Sequence, residues 1–303
     1  MKSYRYIHLD VFTDRVFGGN QLAVFLDGRG LPAATMQAIA KEMNFSETAF
    51  VLPPESSETD FRVRIFTPRE ELPMAGHPCV GTAFALARAG VIGPDRPGVV
   101  FGLGVGPTPI SLAWRDGALS FVWMTQQSPV FGASFADPSG AAAALRLSGA
   151  AVAGTGLPVQ TVSCGLAFLL VPLATRAAVD SATLDAGAYD QFARAANIEE
   201  LPVFLFSPEK TGDKATVYSR MFAPGFGIAE DSATGGAGGP LGCYLVRHKV
   251  VTPEAAGSIL SLQGAKMGRP SYIHIAIGTD NGEISSVRVG GESVVAGEGM
   301  LYL

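Results

Sequence analysis

The stretch ELPMAGHPCVGTAFALARAG, residues 71–90, decides how this chain folds. Pro78 suits the first turn of a helix, where its missing N–H is no loss. CVGTAFALARA continues as a mostly apolar helix, and Gly90 fits the position just past its end. A helix that is apolar all round is buried on most sides, so this one belongs inside a lobe. His77, one of four histidines, stands at its mouth between Gly76 and Pro78. The plain reading is a helix cap or a core histidine. The sharper one is a proton-transfer group in a cleft, because imidazole titrates near neutral pH.

Before this helix, YRYIHLDVF (4–12), QLAVFL (21–26), SETAFVLP (46–53) and FRVRIFTP (61–68) read as strands, rich in β-branched and aromatic residues. PAATMQAIAKEMN (32–44) reads as a helix with Met36, Ile39, Ala40 and Met43 on one face and Asn44 as its C-terminal cap. Strands GVVFGL (98–103), PISLAW (109–114) and ALSFVWM (118–124) follow. Residues 126–156 hold Pro, Gly and Ser around a short Ala-rich helix and are expected to cross between domains. The second half runs strand–turn–strand (159–173), helix (181–198), strands 202–208 and 215–224, then the Gly-rich DSATGGAGGPLGCYLVRHK (231–249), which becomes helical.

The halves repeat. Arg64-Ile65-Phe66-Thr67-Pro68 aligns with Arg220-Met221-Phe222-Ala223-Pro224, an offset of 220 − 64 = 156. Kept constant, that offset sets Ala75 against Asp231, His77 against Ala233 and Gly81 against Ala237. Two copies of a strand–loop–buried-helix unit are the expectation. If they face each other, two glycine-rich helix N-termini point into one cleft, with free N–H groups and partial positive charge. Such a site suits an anion, most simply a carboxylate.

Composition narrows the partners. The chain has 303 residues, 48% hydrophobic, with formal net charge −5. Its 22 Lys and Arg are scattered, which excludes nucleic acid and a polybasic membrane contact as expected partners. The longest apolar run, GLAFLLVPLA, is too short to span a bilayer. The N-terminus lacks the apolar core of a secretory signal, so a cytoplasmic location is expected. Three cysteines without a CxxC spacing read as neither a disulfide framework nor a zinc site. GLGVG (102–106) leads into strand rather than helix and fails as a dinucleotide motif. No phosphate-loop, zinc-protease or nucleophile-elbow motif occurs, and no cofactor or metal is expected.

Three further residues have two readings each. Asp231 is a natural helix cap, or an acid tuned by a cleft. Glu47, flanked by Phe45, Ala49 and Phe50, is an exposed strand residue or a desolvated carboxyl with a raised pKa. Cys79 is a small core residue or a thiol activated at a helix N-terminus.

At these residues the chain resembles the phenazine biosynthesis PhzC/PhzF-like family. The matching stretches are DVFTDRVFGGNQLAVF, NFSETAFV, ELPMAGHPCVGTA, RMFAPGFGIAEDSATGGAG, QGAKMGRPSYI and VRVGGESVVAGEGMLYL, which cover nearly the whole chain. The resemblance implies the diaminopimelate epimerase-like fold: an α+β protein of two pseudo-symmetric lobes, each a curved mixed sheet around a central helix. It implies an N-terminal lobe of residues 1–126 plus 289–303, a C-terminal lobe of 127–288, and a site between them. It assigns catalytic roles to Glu47, His77 and Asp231. Substrate contacts fall to Asn20 and to the amides around Gly76, Gly235 and Gly236. The implied activity is a cofactor-independent isomerisation of a small, dihydroanthranilate-like carboxylate, and the implied assembly a homodimer.

The chain departs from the family pattern at Ser232, where Pro is usual, at Gly236, where Ser is usual, and at Gln21, where Pro is common. The lost hydroxyl at 236 puts the phenazine precursor in question as the substrate. A non-catalytic ligand-binding or interaction protein is the alternative. An amino-acid racemase is disfavoured, because the positions of its paired thiols fall on Ala75 and Asp231.

Overall fold

A computed structural model describes residues 2–303. The first half runs β1 (Ser3–Val11), β2 (Asn20–Phe25), α1 (Ala33–Met43), β3 (Glu47–Leu52), β4 (Phe61–Phe66), β5 (Glu71–Leu72), α2 (Gly76–Arg88), β6 (Gly98–Leu103), β7 (Gly106–Arg115) and β8 (Ala118–Gln126). The second begins with β9 (Val130–Phe135), α3 (Ser139–Ala144), α4 (Gly149–Ala153), β10 (Val159–Ser163), β11 (Ala167–Pro172), α5 (Arg176–Ser181) and α6 (Ala186–Ala196). It continues with β12 (Val203–Ser207), β13 (Val217–Ala223), β14 (Ile228–Asp231), α7 (Gly235–Arg247), β15 (Ile259–Gln263), β16 (Ser271–Asp280) and β17 (Glu283–Gly291). β18 (Ser293–Tyr302) ends the chain.

Strand pairing repeats between the halves. β1–β2 is antiparallel, β2–β3 parallel, β3–β4 antiparallel, β4–β6 parallel, and β6–β7–β8 antiparallel. The order β10–β11–β12–β13–β15–β16–β17 shows the same alternation. A parallel pair needs a long crossover, and α1 and α2 lie in the two crossovers of the first half. β18 adds to β1, as β9 adds to β10. β8 pairs with β17, which joins all eighteen strands into one continuous ladder. This is the α+β, twice-built architecture expected from the repeat.

The central helices are apolar because the sheets enclose them. Gly76 through Leu86 of α2 are all buried, as are Gly235 through Leu245 of α7. Both helices contribute to one hydrophobic core. The remaining helices cover the outer faces. α1 packs Met36, Ile39 and Ala40 over Phe25 and Phe50, and ends at Asn44, whose left-handed φ of 53° lets its N–H reach the Ala40 carbonyl.

Three expectations change. The repeat keeps offset 156 only through β4 and β13. The central helices start at Gly76 and Gly235, an offset of 235 − 76 = 159, because the second loop inserts a 3₁₀ turn, Pro224–Phe226. Ile65 pairs with Leu72, and Met221 with Asp231. The counterpart of Asp231 is therefore Leu72, and that of Ala75 is Thr234. Second, the helix expected over 181–198 is α6, which starts only at Ala186, and a separate helix, α5, precedes it and ends at Ser181. Thr175 accepts from the Ala178 amide and Asp185 from the Ala188 amide, so each helix has its own cap. Third, the expected crossing at 126–156 also contains β9, which is paired to β10. Among the described residues, no helix is long and apolar enough to cross a membrane.

Candidate active site

The N-termini of α2 and α7 meet. A Cβ added to Gly76 would lie 2.3 Å from the Gly235 carbonyl carbon, so only glycine permits the approach. Among the described residues no side chain caps the first turn of either helix. Their free amides thus open onto a cavity of about 40 Å³. One wall carries Glu47, His77, Asp231 and Thr234; the other is apolar, with Leu72, Met74, Phe168, Met221, Phe226 and Ile228.

Each polar group is placed by its element. Glu47 begins β3, whose side chains alternate between faces. Ala49 and Val51 face the central core and Phe50 the outer helix α1, so Glu47 shares the inward face. His77 lies in the first turn of α2, one residue past Gly76, and is buried rather than capping; the cap position is Ala75. Asp231 ends β14, and the cap of α7 is Thr234, so Asp231 is not a helix cap either. The adjacent Glu230 turns away to a bidentate pair with Arg220, 2.8 Å at each oxygen.

Asn20, the first residue of β2, ties these groups together. Its Nδ2 donates to Asp231 Oδ1 at 2.7 Å and to the Ala233 carbonyl at 2.9 Å, while its Oδ1 accepts from Ser46 Oγ at 2.9 Å. The same Nδ2 lies 3.3 Å from His77 Nδ1, but both its hydrogens are already committed. The Gln21 main chain hydrogen-bonds the His77 ring and favours its protonated form. His77 Nε2 lies 3.4 Å from Glu47 Oε2. Neither of those two atoms has a hydrogen-bond partner among the described residues, although both are buried. Orphaned buried polar atoms are costly and rare, and here two of them face each other at the cavity.

Burial governs the charges. It pushes the Glu47 carboxyl up to about 8, with the Asp231 charge adding in the same direction. Asp231 also rises, to about 6, because burial outweighs the hydrogen bonds from Thr234 and Asn20 that favour its ionised form. The His77 imidazole is driven down to about 3 by burial. Near neutral pH the wall therefore presents a neutral carboxyl beside a neutral imidazole, with a hydrogen-bonded carboxylate behind them. A proton passed within this pair would create two buried charges, so burial keeps both groups neutral.

All seven residues expected at the site converge there: Asn20, Glu47, Gly76, His77, Asp231, Gly235 and Gly236. Cys79 does not join them. It is buried outside the cavity lining, and burial raises its pKa to about 12 in spite of a hydrogen bond with the Ala75 main chain that acts the other way, against activation at the helix end. Three participants escaped the sequence reading. Ser46 supports Asn20. Thr234 Oγ1 donates to Asp231 Oδ2 at 2.6 Å. Gln263 accepts from the Thr234 amide at 3.0 Å and donates to the Asp231 carbonyl at 2.8 Å. Ser46 and Thr234 adjoin the acids in FSET and DSAT, and Gln263 opens QGAKMGRPSYI, so the only signal was proximity to the motifs. Among the described residues no group of His, Cys, Asp or Glu is arranged to hold a metal ion.

The PhzC-PhzF family model, described as phenazine biosynthesis-like protein, matches residues 9–299. The chain belongs to this family. The PhzF chain is 35% identical to trans-2,3-dihydro-3-hydroxyanthranilate isomerase of Pseudomonas aeruginosa, over 99% of this chain and 100% of that protein. It is 34% identical to an uncharacterized isomerase of Mesorhizobium japonicum, over 100% of both. The fold is similar to the crystal structure of a Bacillus anthracis PhzF-family protein, with TM-score 0.86 at 24% identity over 100% of both chains. The protein is a PhzF-type isomerase.

Proposed function

We propose that this isomerase moves a proton between carbons of a small carboxylate-bearing substrate, without a cofactor, and that Glu47 is its acid–base group. One observation carries the reading: Glu47 is buried, its pKa is raised toward neutrality, and its Oε2 stands unpartnered at a cavity flanked by two uncapped helix N-termini. The amides at Gly76, Gly235 and Gly236 bind the substrate carboxylate. That anchor holds the carbon skeleton against the apolar wall and over Glu47. In its ionised form Glu47 abstracts a proton from one carbon. The electron pair delocalises toward the carboxylate, where the helix ends favour negative charge. The same carboxyl then returns the proton to a second carbon on the same face.

His77 Nε2 accepts a hydrogen bond from protonated Glu47 and orients it. Asp231, held by Asn20 and Thr234, orients the second helix end and keeps negative charge near Glu47, which sustains the raised pKa. A cavity of about 40 Å³ holds only a few waters' worth of volume. A ring-sized substrate therefore enters when the two halves part, and reacts when they close.

Support for a cyclic, dihydroanthranilate-like substrate comes from the Pseudomonas aeruginosa relative, whose name specifies one. The test is incubation of the protein with trans-2,3-dihydro-3-hydroxyanthranilate in D₂O, reading deuterium at carbon by mass spectrometry. Deuterium is expected in product from the wild type and not from Glu47→Gln, while ligand binding by Glu47→Gln is retained. Undiminished exchange in Glu47→Gln overturns the role of Glu47. Binding without exchange in the wild type overturns this substrate class.

A further inference from the structure

We propose that Arg269 is a positioning residue: its guanidinium fixes the Gly18–Gly19 main chain and so aims the Asn20 amide at Asp231. The inference rests on Asn20 and Asp231 belonging to the reacting site. Arg269 itself lies outside the cavity lining. It follows the 3₁₀ turn Ala265–Met267 of the second half and reaches across to the first. Its Nη2 donates to Asp10 Oδ1 at 2.5 Å and to the Gly18 carbonyl at 2.6 Å, and its Nε donates to the Gly19 carbonyl at 2.9 Å.

Other contacts close the same clamp. Asp10, whose side chain is 2% exposed, accepts from the Phe17 amide at 2.8 Å through its other oxygen. The Gly19 N–H donates to the Pro270 carbonyl at 3.2 Å, and Ser232 Oγ donates to the Gly19 carbonyl at 3.0 Å. Gly19 has φ +60°, and a Cβ there would meet the Val11 carbonyl at 2.3 Å, so the loop admits one path. That path ends on Asn20, which then has to divide two hydrogens between Asp231 and the Ala233 carbonyl. A flat guanidinium can serve a carboxylate and two successive carbonyls at once. A lysine ammonium at the same place carries the charge but not the fork.

The role is read without substrate, on the full chain, from the side-chain ¹³C titration of Asp231, with Asp231→Asn assigning the resonance. The titratable groups nearest Asp231, namely Glu47 and His77 at the cavity and the adjacent Glu230 paired with Arg220, are the same in every other variant. Asn20→Ala removes a hydrogen bond to the ionised carboxyl and raises its midpoint by about one pH unit. Arg269→Lys, which preserves charge, is expected to raise it by a comparable amount, and the double variant no further than Asn20→Ala alone. Asp10→Asn, nearly isosteric, gives a smaller rise in the same direction and serves as the probe if Arg269→Lys does not fold. An unchanged Asp231 midpoint in whichever of these two variants folds, or full additivity in the double variant, overturns the proposal. Loss of deuterium exchange plays no part in this readout, so the role of Glu47 and that of Arg269 fail separately.

Discussion

The two halves share a strand order and a central helix of 13 residues, but they do not share chemistry. The first supplies Asn20, Glu47 and His77. The second supplies Asp231, Thr234, Gln263 and the amides of Gly235 and Gly236. Their helices also reach close packing by different means. After Gly76, α2 has alanines and one more tight glycine, Gly81, where a Cβ would lie 2.5 Å from Leu22 Cδ2. α7 carries Gly235, Gly236, Gly238, Gly239 and Gly242, each weaker in a helix than alanine by about 1 kcal/mol. A Cβ on Gly239 would lie 2.0 Å from Gln126 Oε1, and one on Gly242 2.5 Å from Ile275 Cγ2. The sheet, not the helix, selects those glycines. A duplicated frame thus gives matched helix ends, while divergence puts Asn20, Glu47 and His77 on one side and Asp231 with Thr234 and Gln263 on the other.

Breaking the acid–base side has the largest expected effect. Glu47→Gln lowers isomerisation or exchange by about 10³-fold, within the usual range for a lost general acid–base group. Asp231→Asn, on the orienting side, lowers it less. Steady-state rates of the two variants check this, and equal losses would erase the distinction between the halves.

The pH dependence of stability separates the same groups. Glu47 has a raised folded-state pKa, so the folded chain keeps a proton that the unfolded chain releases. Its contribution is full below about 4.5 and is lost as pH rises through about 8. Asp231 acts with the same sign, between about 3.8 and 6. His77 has a lowered pKa and acts oppositely: stability is lost as pH falls from 6.5 toward about 3. Urea midpoints measured across pH should fall on both sides. Glu47→Gln should flatten the alkaline limb and leave the acid limb, whereas His77→Asn should flatten the acid limb.

Packing differences come next. Gly239→Ala in α7 is expected to cost about 1–3 kcal/mol in urea unfolding, because Val287 must shift and Gln126 must leave its hydrogen bond to the Gly235 carbonyl. Gly236→Ala is expected to be close to neutral, since its Cβ would meet Phe168 Cζ at an ordinary 3.5 Å. The smallest effect sharpens the ligand side. Gly236→Ser should fold normally and bind a benzoate-type carboxylate about 2–10-fold more tightly by calorimetry, the gain from one added hydrogen bond. No gain there would place the carboxylate away from residue 236.

Much of this was legible along the chain. The apolar run after Gly76, the strand FRVRIF with its partner VYSRMF, and the glycine-rich start at 235 are local patterns, and each became the element it suggested. The loop between β13 and α7 was misjudged by three residues, because a 3₁₀ turn leaves no mark on the hydrophobic period. That shift is why Asp231 aligned falsely with Ala75, when its counterpart is Leu72. The late start of α6 within 181–198 was missed for a related reason: Asp185 looked like one more helical polar residue until its side chain capped Ala188.

The sequence by itself determined the duplicated α+β frame, the buried central helices and the candidates Asn20, Glu47, His77 and Asp231, because periodicity and motif are properties of neighbouring residues. Only the tertiary structure decided what those side chains are. Glu47 and His77 are neutral near pH 7 because the packing around the cavity buries them. Asp231 is held by Asn20, Thr234 and Gln263, from sites up to 211 positions away. Cys79 keeps its proton because burial raises its pKa. Charge state and hydrogen-bond satisfaction depend on every atom within a few ångströms, and no window of the chain contains those atoms together.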